Sequence, residues 1–92
     1  MRKPKSILKV SIFQLKAARA LLDWSQLELA AASGVSLPTV KRLEAGKGFL
    51  GGRPETSLKL QRALEGAGIE FLYPNDGGPG VRLRKGRPAS LK

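Results

Sequence analysis

Residues 25–45, SQLELAAASGVSLPTVKRLEA, constrain the fold more than any other stretch of the chain. Ser25 and Glu28 have the spacing of a capping box, in which the hydroxyl accepts the Glu28 N–H and the carboxylate reaches back to the Ser25 N–H. Trp24 and Leu29 flank that cap as a hydrophobic staple. Gly34 stops the helix, because glycine enters the left-handed conformation at little cost. Ser36 then caps a second helix, and Pro38 is tolerated there because a first-turn N–H has no intrahelical acceptor. The segment therefore reads as two short helices around one tight glycine turn.

The second helix, expected over residues 36–45, has two unlike faces. At about 100° per residue, Val40, Leu43 and Glu44 share one side with Ser36, and Pro38, Lys41, Arg42 and Ala45 share the other. The first side must pack on the domain. The second offers two cations beside small or apolar groups, which suits a helix lying in the major groove of DNA. Arg bonds a guanine O6/N7 pair bidentately, Lys reaches the same edge or a phosphate, and Leu37 or Ala45 can meet a thymine methyl. Two such helices around one turn are the outline of a helix-turn-helix. A solvated basic face on an ordinary helix is the plainer alternative.

Glu44 lies toward the apolar side, where an unpaired carboxylate is costly. A partner is available upstream. Leu15, Ala18, Arg19 and Leu22 follow the i, i+3, i+4, i+7 spacing of one helix face, with Ser11 and Gln14 as another capping box at its start. A buried Arg19–Glu44 pair would fix the first helix against the recognition helix, contributing orientation more than net stability because desolvation offsets the Coulombic gain.

With these residues in view, LKAARALLDWSQLELAAASGVSLPTVKRLEAGKG resembles the lambda-repressor/Cro-like (XRE) helix-turn-helix family. The likeness runs from about Leu15 to Leu64. It rests on the Arg of the first helix, W-S-Q-x-E-L-A, G-V-S and the closing R-L-E-x-G-K, in order and spacing. The resemblance implies a mainly α, compact four- to five-helix domain that binds operators as a dimer. It also implies that Gln26 contacts a phosphate and steadies the base-reading residues. Ser36, Leu37, Pro38, Lys41 and Arg42 would face base edges or the flanking backbone, and Lys47 a phosphate. Arg19 and Glu44 match the family's interhelical ion pair. Leu37 and Pro38 depart from the hydrogen-bonding residues that many members carry there, so adenine readout by an amide is not available at those positions.

Composition narrows the alternatives. Ninety-two residues suit one small core. The absence of Cys and His excludes zinc fingers, thiol nucleophiles, disulfide scaffolds and most His-based acid–base catalysis, so no catalytic site, metal or cofactor is expected and an enzyme is not. No stretch approaches the roughly 20 apolar residues of a membrane span, and Lys9 interrupts any signal-peptide core after Ile7-Leu8. A cytoplasmic location is expected.

The +10 charge is uneven. Arg2, Lys3, Lys5 and Lys9 lie in residues 1–10, and Arg82, Arg84, Lys85, Arg87 and Lys92 in residues 82–92, with no acid in either. The other eight cations face all seven acids, so residues 11–81 carry only +1. Cationic arms on a near-neutral domain suit phosphate backbones, or serve simply as solubilising tails. Arg84-Lys85-Gly86-Arg87-Pro88 resembles the R-G-R-P core of an AT-hook, which makes Arg84, Lys85 and Arg87 candidates for minor-groove or tail contacts.

Gly46-Lys47-Gly48-Phe49-Leu50-Gly51 spells G-x-G-x-x-G, but it follows a helix rather than a strand, so a dinucleotide site is not expected. Residues 46–53 read instead as a loop near the DNA backbone, with Lys47 and Arg53 as its phosphate-facing cations. A further helix begins at Pro54-Glu55-Thr56, with Leu60, Ala63, Leu64 and Ala67 on its core face. Residues 69–73 and 81–83 are β-like runs around a loop dense in turn formers. A lone hairpin is marginal, so it must pack on the helices or pair with a second chain; Ile7-Leu8-Lys9-Val10 is a candidate third strand.

The expected organisation is a basic arm over 1–10, a helix-turn-helix domain over 11–68, a β-hairpin and candidate dimerisation element over 69–84, and a basic tail over 85–92. The expected function is a dimeric, sequence-specific regulator of transcription on double-stranded DNA, a repressor since no other domain is attached. An antitoxin that also represses its own operon is the alternative, with a toxin or antiactivator as protein partner. An RNA-binding reading lacks an aromatic stacking platform.

Overall fold

Each of the first three helices starts where a serine accepts its orphan N–H groups. The computed structural model describes residues 10–73 and 77–84. In chain order these form α1 (Ile12–Leu22), α2 (Gln26–Ser33), α3 (Leu37–Glu44), α4 (Pro54–Gly66), β1 (Ile69–Leu72) and β2 (Gly80–Leu83). The chain is thus mainly helical, with four helices among the described residues and one short hairpin. Ser11 and Gln14 close a capping box on α1, and Ser25 and Glu28 close one on α2. Ser36 caps α3 through the Thr39 N–H. The cap residues Ser36 and Ala45 bracket α3, so the helix proper is one residue shorter at each end than expected.

Gly34 ends α2 at φ 77°, as its sequence position predicts. Asp23 ends α1 in the same left-handed region, at φ 57°, with no glycine to mark the stop. Asp tolerates that region better than most residues because its short side chain interacts locally with the backbone.

The core joins all four helices and the hairpin. Leu15, Ala18 and Leu22 of α1 meet Leu29 and Ala30 of α2, Val40 and Leu43 of α3, and Leu60 and Leu64 of α4, with Ile69 and Phe71 from β1. Trp24 is half-buried against the same core. Ala63 and Ala67 pack beside it, as their helical spacing predicts, and Gln61 is buried too, donating to the Ser57 hydroxyl at 3.1 Å.

β1 and β2 pair antiparallel with Ile69 opposite Leu83 and Leu72 opposite Gly80. The hairpin lies against α1 and α4, which gives its apolar face a partner within the chain. The Arg84 N–H donates to the Gly68 carbonyl at 2.7 Å. Counting from that bonded pair, antiparallel alternation turns the main-chain groups of Val81 and Leu83 away from β1. Glu70 and Arg82 face each other across the strands at 3.0 Å. Arg82, counted by sequence with the C-terminal cationic arm, is therefore a strand residue with a carboxylate partner.

Val10 does not extend the hairpin. Its carbonyl accepts the Leu50 N–H, and the Ile12 N–H donates to Gly48, both at 2.8 Å, with Ser11 bridged to Phe49 between them. Residues 10–12 thus line the loop that follows α3. Residues 7–9 of the expected third strand lie outside the described residues, as do the rest of the N-terminal arm and the tail over 85–92.

Candidate nucleic-acid interface

Helix α3 presents the face its periodicity predicts. Val40, Leu43 and Glu44 are buried, and Pro38, Lys41, Arg42 and Ala45 are exposed. Leu37 is half-buried and packs against the core, so only part of its surface remains for a thymine methyl. Ser36 is exposed, but its hydroxyl is engaged. It accepts the Thr39 N–H at 3.3 Å and donates to Thr39 Oγ1 at 2.8 Å.

The buried side of α3 is held by one carboxylate. Arg19 of α1 grips Glu44 with two parallel bonds, Nε to Oε2 at 2.7 Å and Nη2 to Oε1 at 2.8 Å. Such a fork fixes orientation as well as distance. Nη1 of the same guanidinium donates to the Trp24 carbonyl at 2.8 Å, tying down the link between α1 and α2. The Glu44 side chain is only 3% exposed, against 20% for Arg19. Burial pushes the Glu44 carboxyl up, but its hydrogen bonds to Arg19 and Gln26 and the nearby Arg19 and Lys16 charges outweigh that, leaving it below the ordinary carboxylate range. The hydrogen bond to Glu44 raises Arg19 further, against the opposing effect of burial.

Gln26, expected at a phosphate, donates its amide to Glu44 Oε1 at 3.0 Å. One carboxylate therefore joins α1, α2 and α3. Sequence spacing pointed to Arg19 and Glu44 but held no signal for this third member, because Gln26 and Glu44 meet only through the turn between their helices.

The remaining candidates lie around this core. Lys47 is exposed in the loop after α3. Arg53 is exposed at the N-cap of α4, where its carbonyl, not its side chain, accepts the Thr56 and Ser57 N–H groups. Arg84 is exposed beyond β2, while Lys85 and Arg87 fall outside the described residues. The structure therefore brings Arg19, Gln26 and Glu44 together behind α3 and leaves Lys41 and Arg42 on its outer face. Among the described residues, no group of His, Cys, Asp and Glu side chains could hold a metal, and no helix is long and apolar enough to cross a membrane.

Residues 15–48 match the family model described as Helix-turn-helix, a span from α1 through α3 into the following loop. That segment is a helix-turn-helix of the lambda-repressor/Cro-like (XRE) kind, and the domain is of a DNA-binding class. No curated protein matches the chain significantly.

Proposed function

We propose that this protein is a sequence-specific transcriptional repressor that binds a palindromic operator as a homodimer, with α3 in the major groove. The observation that carries the reading is the division of α3. Its inner face is locked by the Arg19–Glu44–Gln26 network, and its outer face is left to Pro38, Lys41, Arg42 and Ala45. Arg42 and Lys41 read base edges, with Ser36, Leu37 and Pro38 at the helix start. Gln26, Lys47 and Arg53 flank them toward the phosphates. Arg42→Ala should lose about 1–3 kcal/mol on the specific site and relax one base position.

The outward main-chain groups of Val81 and Leu83 support the dimer, since twofold pairing of two hairpin edges matches the symmetry of a palindrome. Selection of bound sequences from a random duplex pool tests the whole reading. A twofold-symmetric consensus that Arg42→Ala blurs is the expected result. Equal loss by Arg42→Ala on selected and random duplex would reduce Arg42 to a phosphate contact.

Phe13 on α1 and Leu27 on α2 are 70% and 63% exposed, and operator reading alone gives them no task. They favour keeping a second reading, an antitoxin that binds a protein partner while repressing its own operon. Co-purification of a small basic enzyme would support it.

A further inference from the structure

Gln14 does more than cap a helix. Its side chain is buried, and all its polar capacity toward the described residues runs to three separate pieces of chain. Oε1 accepts the Ser11 N–H at 2.9 Å, closing the capping box. Nε2 donates to the Leu72 carbonyl at 2.9 Å and to the Gly80 carbonyl at 3.0 Å. Those two residues face each other at the end of the hairpin where the chain turns from β1 to β2, so one amide spans both strands. An amide carries two N–H hydrogens, and both are used.

On the other side of Ser11 lies the loop after the recognition helix. Ser11 bridges Phe49, and the flanking Ile12–Gly48 and Leu50–Val10 bonds complete a short ladder. The line of contact therefore runs from the hairpin through Gln14 and Ser11 to residues 48–50, directly after Lys47. The residue type supports the same conclusion. At the equivalent cap position of α2 the chain uses Glu28, which accepts the Ser25 N–H equally well. A carboxylate at position 14 would serve the cap but would set negative charge against two carbonyl oxygens in a buried site.

We propose that Gln14 is a positioning residue of the DNA interface, bracing the 48–50 loop, and with it Lys47, against the C-terminal hairpin. The part of this inference that concerns Lys47 rests on the DNA-binding reading above; the brace itself does not. Docking of the hairpin and seating of the loop on phosphate are then linked, and by reciprocity each strengthens the other.

Gln14→Glu separates cap from brace in the full chain, and Gln14→Met removes both without adding charge. Amide hydrogen exchange should accelerate on the order of tenfold at Leu72 and Gly80 and also at Ile12 and Leu50, the range set by loss of about one net hydrogen bond. Leu29 and Leu64 amides serve as the control, because a merely global loss of stability would accelerate them equally. Acceleration confined to the hairpin, or spread evenly over the controls, in both variants overturns the brace. On duplex DNA the slope of log K against log[salt] should fall by up to about 0.9, one phosphate contact, with base preference intact. Faster exchange at Leu50 with an unchanged slope keeps the brace and removes Lys47 from the interface.

Discussion

Replacing Glu44 by Ala removes the one acceptor shared by three helices. Two Arg19 bonds of 2.7 and 2.8 Å and the Gln26 bond of 3.0 Å disappear together. Breaking a buried ion pair from one side costs about 3–5 kcal/mol, since the remaining charge stays desolvated. Arg19 keeps its bond to Trp24 and a fifth of its side-chain surface, so water can partly compensate, and the lower end, about 3 kcal/mol, applies. For a domain of this size that is a fall of roughly 12–24 °C in melting temperature. Thermal and urea unfolding followed by far-UV circular dichroism measure it. The double change Arg19→Met/Glu44→Leu should recover much of the loss, because it removes both charges and keeps apolar volume. An unchanged melt for Glu44→Ala, or a double variant no more stable than the single one, would refute the reasoning.

The same carboxylate gives a pH signature. Its folded pKa lies below its ordinary value, so its contribution is complete above the unfolded pKa and is lost as pH falls through the folded one. Stability should therefore drop on acidification through that window, and less steeply in Glu44→Gln. The hairpin dimer predicts that Val81→Pro, which removes an N–H pointing away from β1, leaves helix content unchanged and yields a monomer by light scattering. A persisting dimer would move the interface to the helices, around Leu58 and Arg62. Deleting residues 85–92 removes Lys85, Arg87 and Lys92 and should lower the salt slope by up to about 2.7, with the largest affinity loss on A·T-flanked sites; an unchanged slope would make the tail a solvated end.

The parts of the fold legible in the sequence are those written in short spacings. Ser11 with Gln14, Ser25 with Glu28, and Gly34 announce helix boundaries because capping acts over three residues or fewer. Arg19 and Glu44 were legible because each is a charge at a position whose helical phase points inward. Asp23 was not, since a left-handed stop at a non-glycine depends on what the following chain must reach. The Gln26–Glu44 bond, the Val10–Leu50 ladder and both hairpin bonds of Gln14 are meetings of distant segments, and no local pattern specifies them. The strand position of Arg82 was legible, but counting charges along the chain grouped it with the C-terminal cations and missed its partner Glu70, which lies across the strand pair rather than nearby in sequence.

The bonds from Gln14 to the hairpin join residues 58 and 66 positions apart. Closing loops of that length is entropically costly, whereas α2 and α3 meet across a turn of three residues, 34–36. The three-helix unit is therefore expected to assemble early and the hairpin to dock late. If opening follows the reverse order, the hairpin detaches first, and Ile69 and Phe71, 1% and 2% exposed, are the buried surface it must give up. A second chain pairing with the hairpin, as the proposed dimer requires, would then extend the lifetime of the fold itself.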